Sequence, residues 1–155
     1  MPIKFEGEFD VTATPEEAYA VLSDTTKYAP LLPTYVSHEV KDDGSADVTV
    51  KVGVGKIRGK AVINLTRVTA EAPTRAGYTG KGKVMGGAFN MDTVFALEPI
   101  ATGGTLVKWE GSLNMFGKLV ALAGGLIRPI AKKDIERLIA AIKAALSPDA
   151  KAAAG

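Results

Sequence analysis

Residues 3–11, IKFEGEFDV, alternate strictly: Ile3, Phe5, Gly7, Phe9 and Val11 against Lys4, Glu6, Glu8 and Asp10. A two-residue period sends the two sets to opposite faces, which predicts a half-buried strand. The period then changes. In TPEEAYAVLSD, Thr14 fits a helix N-cap, Pro15 the first helical position, and Glu17 the third residue of a capping box. Ala18, Val21 and Leu22 supply the apolar stripe of a short helix. The prolines of KYAPLLPTY exclude a long helix and predict a helical turn followed by a bend.

From Val36 to about Leu113 alternation returns. VSHEVK and ADVTVKVGVG flank DDGS at 42–45, a hairpin signal. KIRGKAVINLTRV predicts another strand and EAPTRAG a loop. YTGKGKV, AFNMDTVFALEP and TLVKWEGSLNM predict three more strands, with IATGGT as the last hairpin turn. From Pro129 onward Ile130, Ile135, Leu138, Ile139, Ile142 and Leu146 fall on one helical face. Lys132, Lys133, Glu136, Arg137 and Lys143 lie largely off it. One strand, one or two short helices, about six adjacent strands and a long helix make an α+β fold.

The larger apolar residues of each strand mark a dry face. It carries Val48, Val50, Val52 and Val54, then Ile57, Gly59, Ala61, Ile63 and Leu65, then Tyr78, Gly80, Gly82 and Val84. Phe89, Met91, Thr93, Phe95 and Leu97 follow, then Val107, Trp109, Gly111 and Leu113. Gly59, Ala61, Gly80, Gly82 and Gly111 are small where a packed core uses Leu or Ile. Two readings follow: bulges and close approach of a helix, or an internal cavity beneath the C-terminal helix. An empty apolar void of even about 300 Å³ would cost on the order of 7 kcal/mol, at ~24 cal/mol per Å³. That rivals the stability of a domain. Such a void is therefore expected to be hydrated, filled by a ligand, or able to close.

The segment from Leu119 to Ile127 is uncharged, with Gly124 and Gly125 inside it and Pro129 just beyond. It is too short to span a bilayer, which needs roughly 18–20 apolar residues. One reading makes it the cover of a cavity mouth, with its outer side against a membrane or a partner and the glycines and proline as a hinge. The other makes it a loop and kink packed on the first helix.

Composition narrows the function classes. The chain has 155 residues, 46% hydrophobic and 23% charged, with a net charge of +2. This predicts one domain over 1–147, a polar and disordered tail over 148–155, and no nucleic-acid partner. The absence of cysteine excludes disulfides, thiolate metal sites and cysteine nucleophiles. Charges at Lys4, Glu6, Glu8 and Asp10 argue against a signal peptide, so a cytoplasmic location is expected. His38, the single histidine, stands between Ser37 and Glu39 and is expected to be solvated. GVGKIRGK lacks a Walker pattern and reads as a hairpin. On the C-terminal helix Lys118, Arg128, Lys132, Lys133, Arg137 and Lys143 outnumber Asp134 and Glu136, a solvated face that would also suit an anionic bilayer.

The stretch FEGEFDVTATPEEAYAVLSDTTKYAPLLPTY resembles the opening of the SRPBCC (START/birch-pollen-allergen-like) superfamily, in particular its CoxG branch, named for a carbon monoxide dehydrogenase component. The resemblance rests on Phe5-Glu6-Gly7, Pro15-Glu16-Glu17, LSD ending at Asp24, LLP ending at Pro33, and the late GTLVKWEGSL, and it covers roughly residues 1–146. It implies a helix-grip: a curved antiparallel sheet of about seven strands around a long C-terminal helix, two short helices after the first strand, and an internal apolar cavity. It also implies a non-enzymatic protein that binds and carries a hydrophobic small molecule or lipid such as an isoprenoid quinone. The quinone would be cargo rather than a cofactor; no cofactor or metal is expected. The expected partners are a membrane-linked carbon monoxide dehydrogenase-type enzyme and, peripherally, an anionic membrane. The expected ligand-binding residues are Tyr19, Tyr35, Gly59, Ala61, Ile63, Tyr78, Gly80, Gly82, Phe89, Met91, Thr93, Phe95, Trp109, Gly111, Leu119, Leu122 and Leu126. An enzyme on the same fold, such as a cyclase or dehydratase acting on an aromatic or polyketide substrate, would need titratable groups inside the cavity. A collapsed cavity would leave a protein-interaction module.

Overall fold

The computed structural model describes residues 3–54, 57–84, 87–117 and 127–147. Strand β1 (Ile3–Val11) leads into helix α1 (Pro15–Leu22), helix α2 (Thr25–Tyr28) and a 3₁₀ turn (Ala29–Leu31). Six strands follow: β2 (Tyr35–Val40), β3 (Ala46–Val54), β4 (Ile57–Glu71), β5 (Arg75–Val84), β6 (Gly87–Pro99) and β7 (Thr105–Gly117). Helix α3 (Ile127–Leu146) closes the described chain.

All seven strands form one antiparallel sheet in the order β1-β7-β6-β5-β4-β3-β2. Every neighbour in the run β2 to β7 is also the next strand in sequence. Only β1 joins from a distance, pairing with β7 from Ile3↔Leu113 to Val11↔Thr105. Register shifts at Tyr35/Ser37 and Arg67/Thr69 interrupt the ladders, and bulges of this kind bend a sheet. Seven strands in this order around a C-terminal helix make the helix-grip that the sequence predicts.

Local chemistry explains the boundaries. Thr14 accepts from the Glu17 N–H while the Thr14 N–H donates to the Glu17 carboxylate, a complete capping box. The DDGS hairpin closes through Gly44 N–H to Lys41 O at 3.0 Å, with Gly44 at φ +89°, a conformation that glycine adopts without a Cβ penalty. The expected loop at EAPTRAG is shorter than predicted, since β4 runs on to Glu71 and β5 starts at Arg75. Pro129 lies in the first turn of α3, where the missing N–H costs no intrahelical bond. The remaining hinge residues, Gly124 and Gly125, lie outside the described residues.

The core sits on the concave face. Val48, Ala61, Leu65, Phe95, Leu97 and Val107 from the sheet meet Ala18 and Leu22 of α1 and Ile142 and Leu146 of α3. Two-residue alternation thus identifies the correct inner face. The C-terminal end of α3 is clasped by the β1–α1 connection: Ala13 N–H and the Thr12 hydroxyl both donate to Leu146 O, and Thr12 N–H donates to Ser147 Oγ. Those donors satisfy a helix-end carbonyl that has no partner within the helix.

Candidate functional site

Burial along the inner face is graded. On β6, Leu97 and Phe95 are buried, whereas Thr93, Met91 and Phe89 are only half-buried. On β7, Thr105 and Val107 are buried, while Trp109, Gly111, Leu113 and Met115 are half-buried. On β1, Val11 and Phe9 are buried and Phe5 is half-buried. The tight core therefore occupies the half of the sheet near the C-terminal end of α3. In the other half, sheet and helix enclose a cavity of about 500 Å³.

Its closed end is formed by Tyr28, Phe95 and Ile142, which are 2%, 2% and 0% exposed. Its floor is Ile63, Met91, Thr93, Trp109 and Gly111, with Phe5, Leu113, Phe89 and Met115 further out. The roof is one face of α3, with Ala131, Ile135, Leu138 and Ile139. Leu32, Pro33, Thr34, Val50 and Lys51 form one flank. Thr34 holds the left-handed backbone region at φ +58° and is tied to β3 through both its side chain and its backbone. Its hydroxyl donates to Lys51 O at 2.7 Å, and its carbonyl accepts from Lys51 N–H at 3.0 Å. A second hollow, of about 560 Å³, lies at the other end of the molecule and is walled mostly by exposed side chains such as Asp10, Thr12, Thr102 and Lys143.

Seven of the residues expected at the site line this cavity: Ile63, Phe89, Met91, Thr93, Phe95, Trp109 and Gly111. Leu119, Leu122 and Leu126 lie outside the described residues. The other seven do not line it, for separate reasons. The Tyr78 ring stacks on Tyr28 with centroids 4.4 Å apart, and its hydroxyl donates to Leu22 O at 2.7 Å. Together with Arg67, whose Nη1 donates to Ser23 O at 2.8 Å, it docks the end of α1 on the sheet. Burial pushes the Tyr78 hydroxyl well above the usual tyrosine range, so it stays a neutral donor. Tyr35 meets His38 instead, with its hydroxyl 2.6 Å from Nδ1. His38 is thus half-buried and partnered rather than simply solvated. Tyr19 packs against the core from α1.

The small residues divide as well. A Cβ on Gly82 would clash with the far end of the Phe89 ring, at Cζ and both Cε atoms, and one on Gly80 would lie 3.0 Å from Ile63 Cγ2. Neighbours lean over both glycines and fill the space that the sequence pattern assigns to a void. Ala61 is fully buried in the core. Gly59 is exposed and has φ +140°, which explains glycine by backbone conformation. Gly111 alone of the five lines the cavity. A Cβ there would meet nothing closer than Asp92 O at 3.7 Å and Thr93 Oγ1 at 4.0 Å.

Sequence reasoning sets the cavity beneath the C-terminal helix but names no residue of that helix face or of the flank among the expected ligand-binding residues. The helical period places Ile135, Leu138, Ile139 and Ile142 on the packed face of the helix, and that face is also the one over the cavity. Phe5 carries the same signal, since it belongs to the apolar set of β1. Tyr28, Leu32, Pro33 and Thr34 give no local sign of their role.

Polar groups are sparse inside. Trp109 Nε1 is buried, and among the described residues it has no hydrogen-bond partner. Charge gathers at the rim: Lys51 from β3, and Lys133, Asp134 and Arg137 from α3. Burial pushes the Asp134 carboxyl above its usual value, partly offset by the Arg137 guanidinium 3.8 Å away. Both side chains remain about half exposed, so the pair is weakly coupled. Among the described residues no helix is long and apolar enough to cross a membrane.

Solved structures share this arrangement. A conserved protein from Geobacillus kaustophilus superposes with a TM-score of 0.80 at 19% identity, over 93% of this chain and 95% of that one. A START superfamily protein from Mycobacterium smegmatis gives 0.66 at 15%, over 92% and 96%. Ara h 8.0201 gives 0.66 at 17%, over 94% and 98%. At these identities the likeness shows the fold alone, that of the START/birch-pollen-allergen-like superfamily. No curated protein matches the chain. The family model for CoxG, a carbon monoxide dehydrogenase subunit, matches residues 7–147, nearly the whole of the fold described above. The chain belongs to the CoxG family.

Proposed function

We propose that the protein is a non-enzymatic binder and carrier of a bulky apolar molecule. The observation that carries this reading is the cavity of about 500 Å³ between α3 and the sheet. Ligand pockets run to roughly 300–1,000 Å³. The described lining is mainly aliphatic, aromatic and methionine side chains. Methionines such as Met91 and Met115 adapt their shape to a guest at little cost.

Family membership supports the finer reading of an isoprenoid quinone or similar lipid as cargo, handed to a carbon monoxide dehydrogenase-type enzyme. A cytoplasmic protein that visits an anionic membrane fits the distribution of charge. Lys51 and Lys60 stand directly opposite each other, with Lys81 and Lys83 on the next strand, at the end of the sheet away from the tight core. Lys132, Lys133 and Arg137 are exposed near the same end of α3. Such cations gain about 1 kcal/mol each near an anionic surface.

Organic extraction of the purified protein, followed by mass spectrometry, tests the reading. A co-purifying lipid-soluble molecule, or one-to-one uptake of an added short-tail quinone, is the expected result. No extractable ligand together with no uptake would reject it.

A further inference from the structure

The polar groups that line the cavity can be followed one by one. The Thr34 hydroxyl is committed to Lys51 O. Ser112 stands opposite Lys4 and Asp92, in the outward set of its strand. Tyr28 is 2% exposed and stacked on Tyr78, so it offers a guest almost no surface. Trp109 Nε1 is buried and lies over Gly7 of β1, 3.1 Å from where a Cβ would stand. The Thr93 hydroxyl differs from all of these. It makes no hydrogen bond among the described residues, and it is not buried, so it opens into the cavity that Thr93 lines. Its cross-strand partner on β7 is Gly111, the roomy position. From the place of a Cβ on Gly111, Thr93 Oγ1 lies at 4.0 Å, and the Thr93 methyl does not come within that distance. The polar end of Thr93 is thus the end turned to the recess.

We infer that Thr93 Oγ1 is the polar contact of the cavity and selects a guest that carries an uncharged oxygen, seated in the recess over Gly111. This rests on the reading that the cavity holds an apolar molecule, and it adds the chemical class of the guest and the direction in which it lies. A hydroxyl both donates and accepts. It donates to a carbonyl and accepts from a hydroxyl. A cargo that exists in ketone and alcohol forms, or in quinone and quinol forms, therefore keeps the same partner in either. A charged head gains nothing at this place. The next inward positions on β6 are Met91 and Phe95, and burying an ion without a partner is costly. The cations that would hold a carboxylate or phosphate, Lys133 and Arg137, sit at the rim instead. The oxygen-bearing end thus lies inward against Thr93, and the apolar remainder runs outward past Met91, Leu113 and Met115.

Benzophenone, benzhydrol and diphenylmethane test this directly, because they carry a carbonyl, a hydroxyl and neither on one skeleton. Each is titrated by calorimetry into wild-type protein, Thr93→Val and Thr93→Ser. Valine keeps the branched shape and suits a strand, and it removes the hydroxyl. Thr93→Val should bind the ketone and the alcohol each about tenfold more weakly than wild type, the size of one net hydrogen bond, with hydrocarbon affinity unchanged. Thr93→Ser, which keeps the hydroxyl, should restore both affinities. Wild-type affinity for all three compounds in Thr93→Val overturns the inference and leaves the carrier reading standing. Equal weakening of all three also overturns it, because Thr93 then serves shape alone. A loss confined to one of the two oxygenated compounds overturns the dual role of the hydroxyl. Binding of none of the three by wild type overturns the inference together with the carrier reading beneath it.

Discussion

The ring of Phe89 lies across Gly82, its partner on the adjacent strand, and occupies the space where a side chain on residue 82 would stand. Glycine in a strand is weak because it has nothing to pack, and an aromatic neighbour folded over it supplies the missing contacts. Trp109 stands in the same relation to Gly7, its partner on β1, with Cζ2 2.8 Å from where a Cβ would lie. Two of the strand glycines on the inner face are thus seats for aromatic rings.

Gly82→Ala is expected to destabilise the protein by about 1–3 kcal/mol, since the new methyl displaces the ring from its rotamer. Phe89→Leu combined with Gly82→Ala should recover part of that loss, because the cost arises from contact between the two. Urea titrations of the two single variants and the double variant measure it. Strictly additive losses would show that ring and glycine are independent.

Tyr78→Phe should cost about 1–3 kcal/mol, the penalty for leaving a buried carbonyl unmet. Leu22 O, at the end of α1, is the group left without its donor. The stacking on Tyr28 survives the change, so the loss reports the hydroxyl alone. A thermal melt unchanged from wild type would place α1 under other restraints.

Asp134 sets the direction of a pH effect. Burial raises its folded-state pKa above the ordinary 3.8, so the folded protein binds that proton more tightly than the unfolded chain. Stability from this group is full below 3.8 and falls as pH rises through the raised value. Asp134→Asn should therefore be at least as stable as wild type at pH 7, with the difference vanishing at acid pH. Asp24, Asp43 and Asp47 act in the opposite sense. Hydrogen bonds from Thr26, Ser45 and Asn64 hold their carboxyls low, so their stabilisation is lost as pH falls. Denaturant melts of the variant and wild type at pH 3 and pH 7 separate the two contributions. A variant less stable at pH 7 would mean that the Arg137 pair outweighs the burial of Asp134.

Much of the fold was legible because period is a local property. Alternation in residues 3–11 and 88–99 assigned faces correctly, and the capping box at Thr14 and Glu17 marked the helix start to the residue. The cavity was only half legible. An inward glycine states that its own side chain is absent, and says nothing about whether a neighbour covers it. That depends on cross-strand register, which brought Phe89 to Gly82 and Ile63 near Gly80 but left Gly111 open. Tyr78 was misassigned for a related reason. The pattern placed it on the inner face, but the covering of that part of the sheet by α1 and α2 depends on tertiary packing. The roof of the cavity was visible as an apolar helix face; nothing in a helical period distinguishes packing against side chains from facing a void.

The central claim is that the space beneath α3 receives an apolar guest. Trp109 is the single tryptophan of the chain and lines that space, so its fluorescence is a built-in reporter. Quinones quench indole emission on contact. Titration of a short-tail isoprenoid quinone into the wild-type protein should quench Trp109 saturably, with one equivalent bound. In Gly111→Leu, where a side chain has room to enter the cavity, the thermal melt should hold and the saturable quenching should be lost. Quenching that rises linearly without saturation, and equally in wild type and Gly111→Leu, would contradict the account.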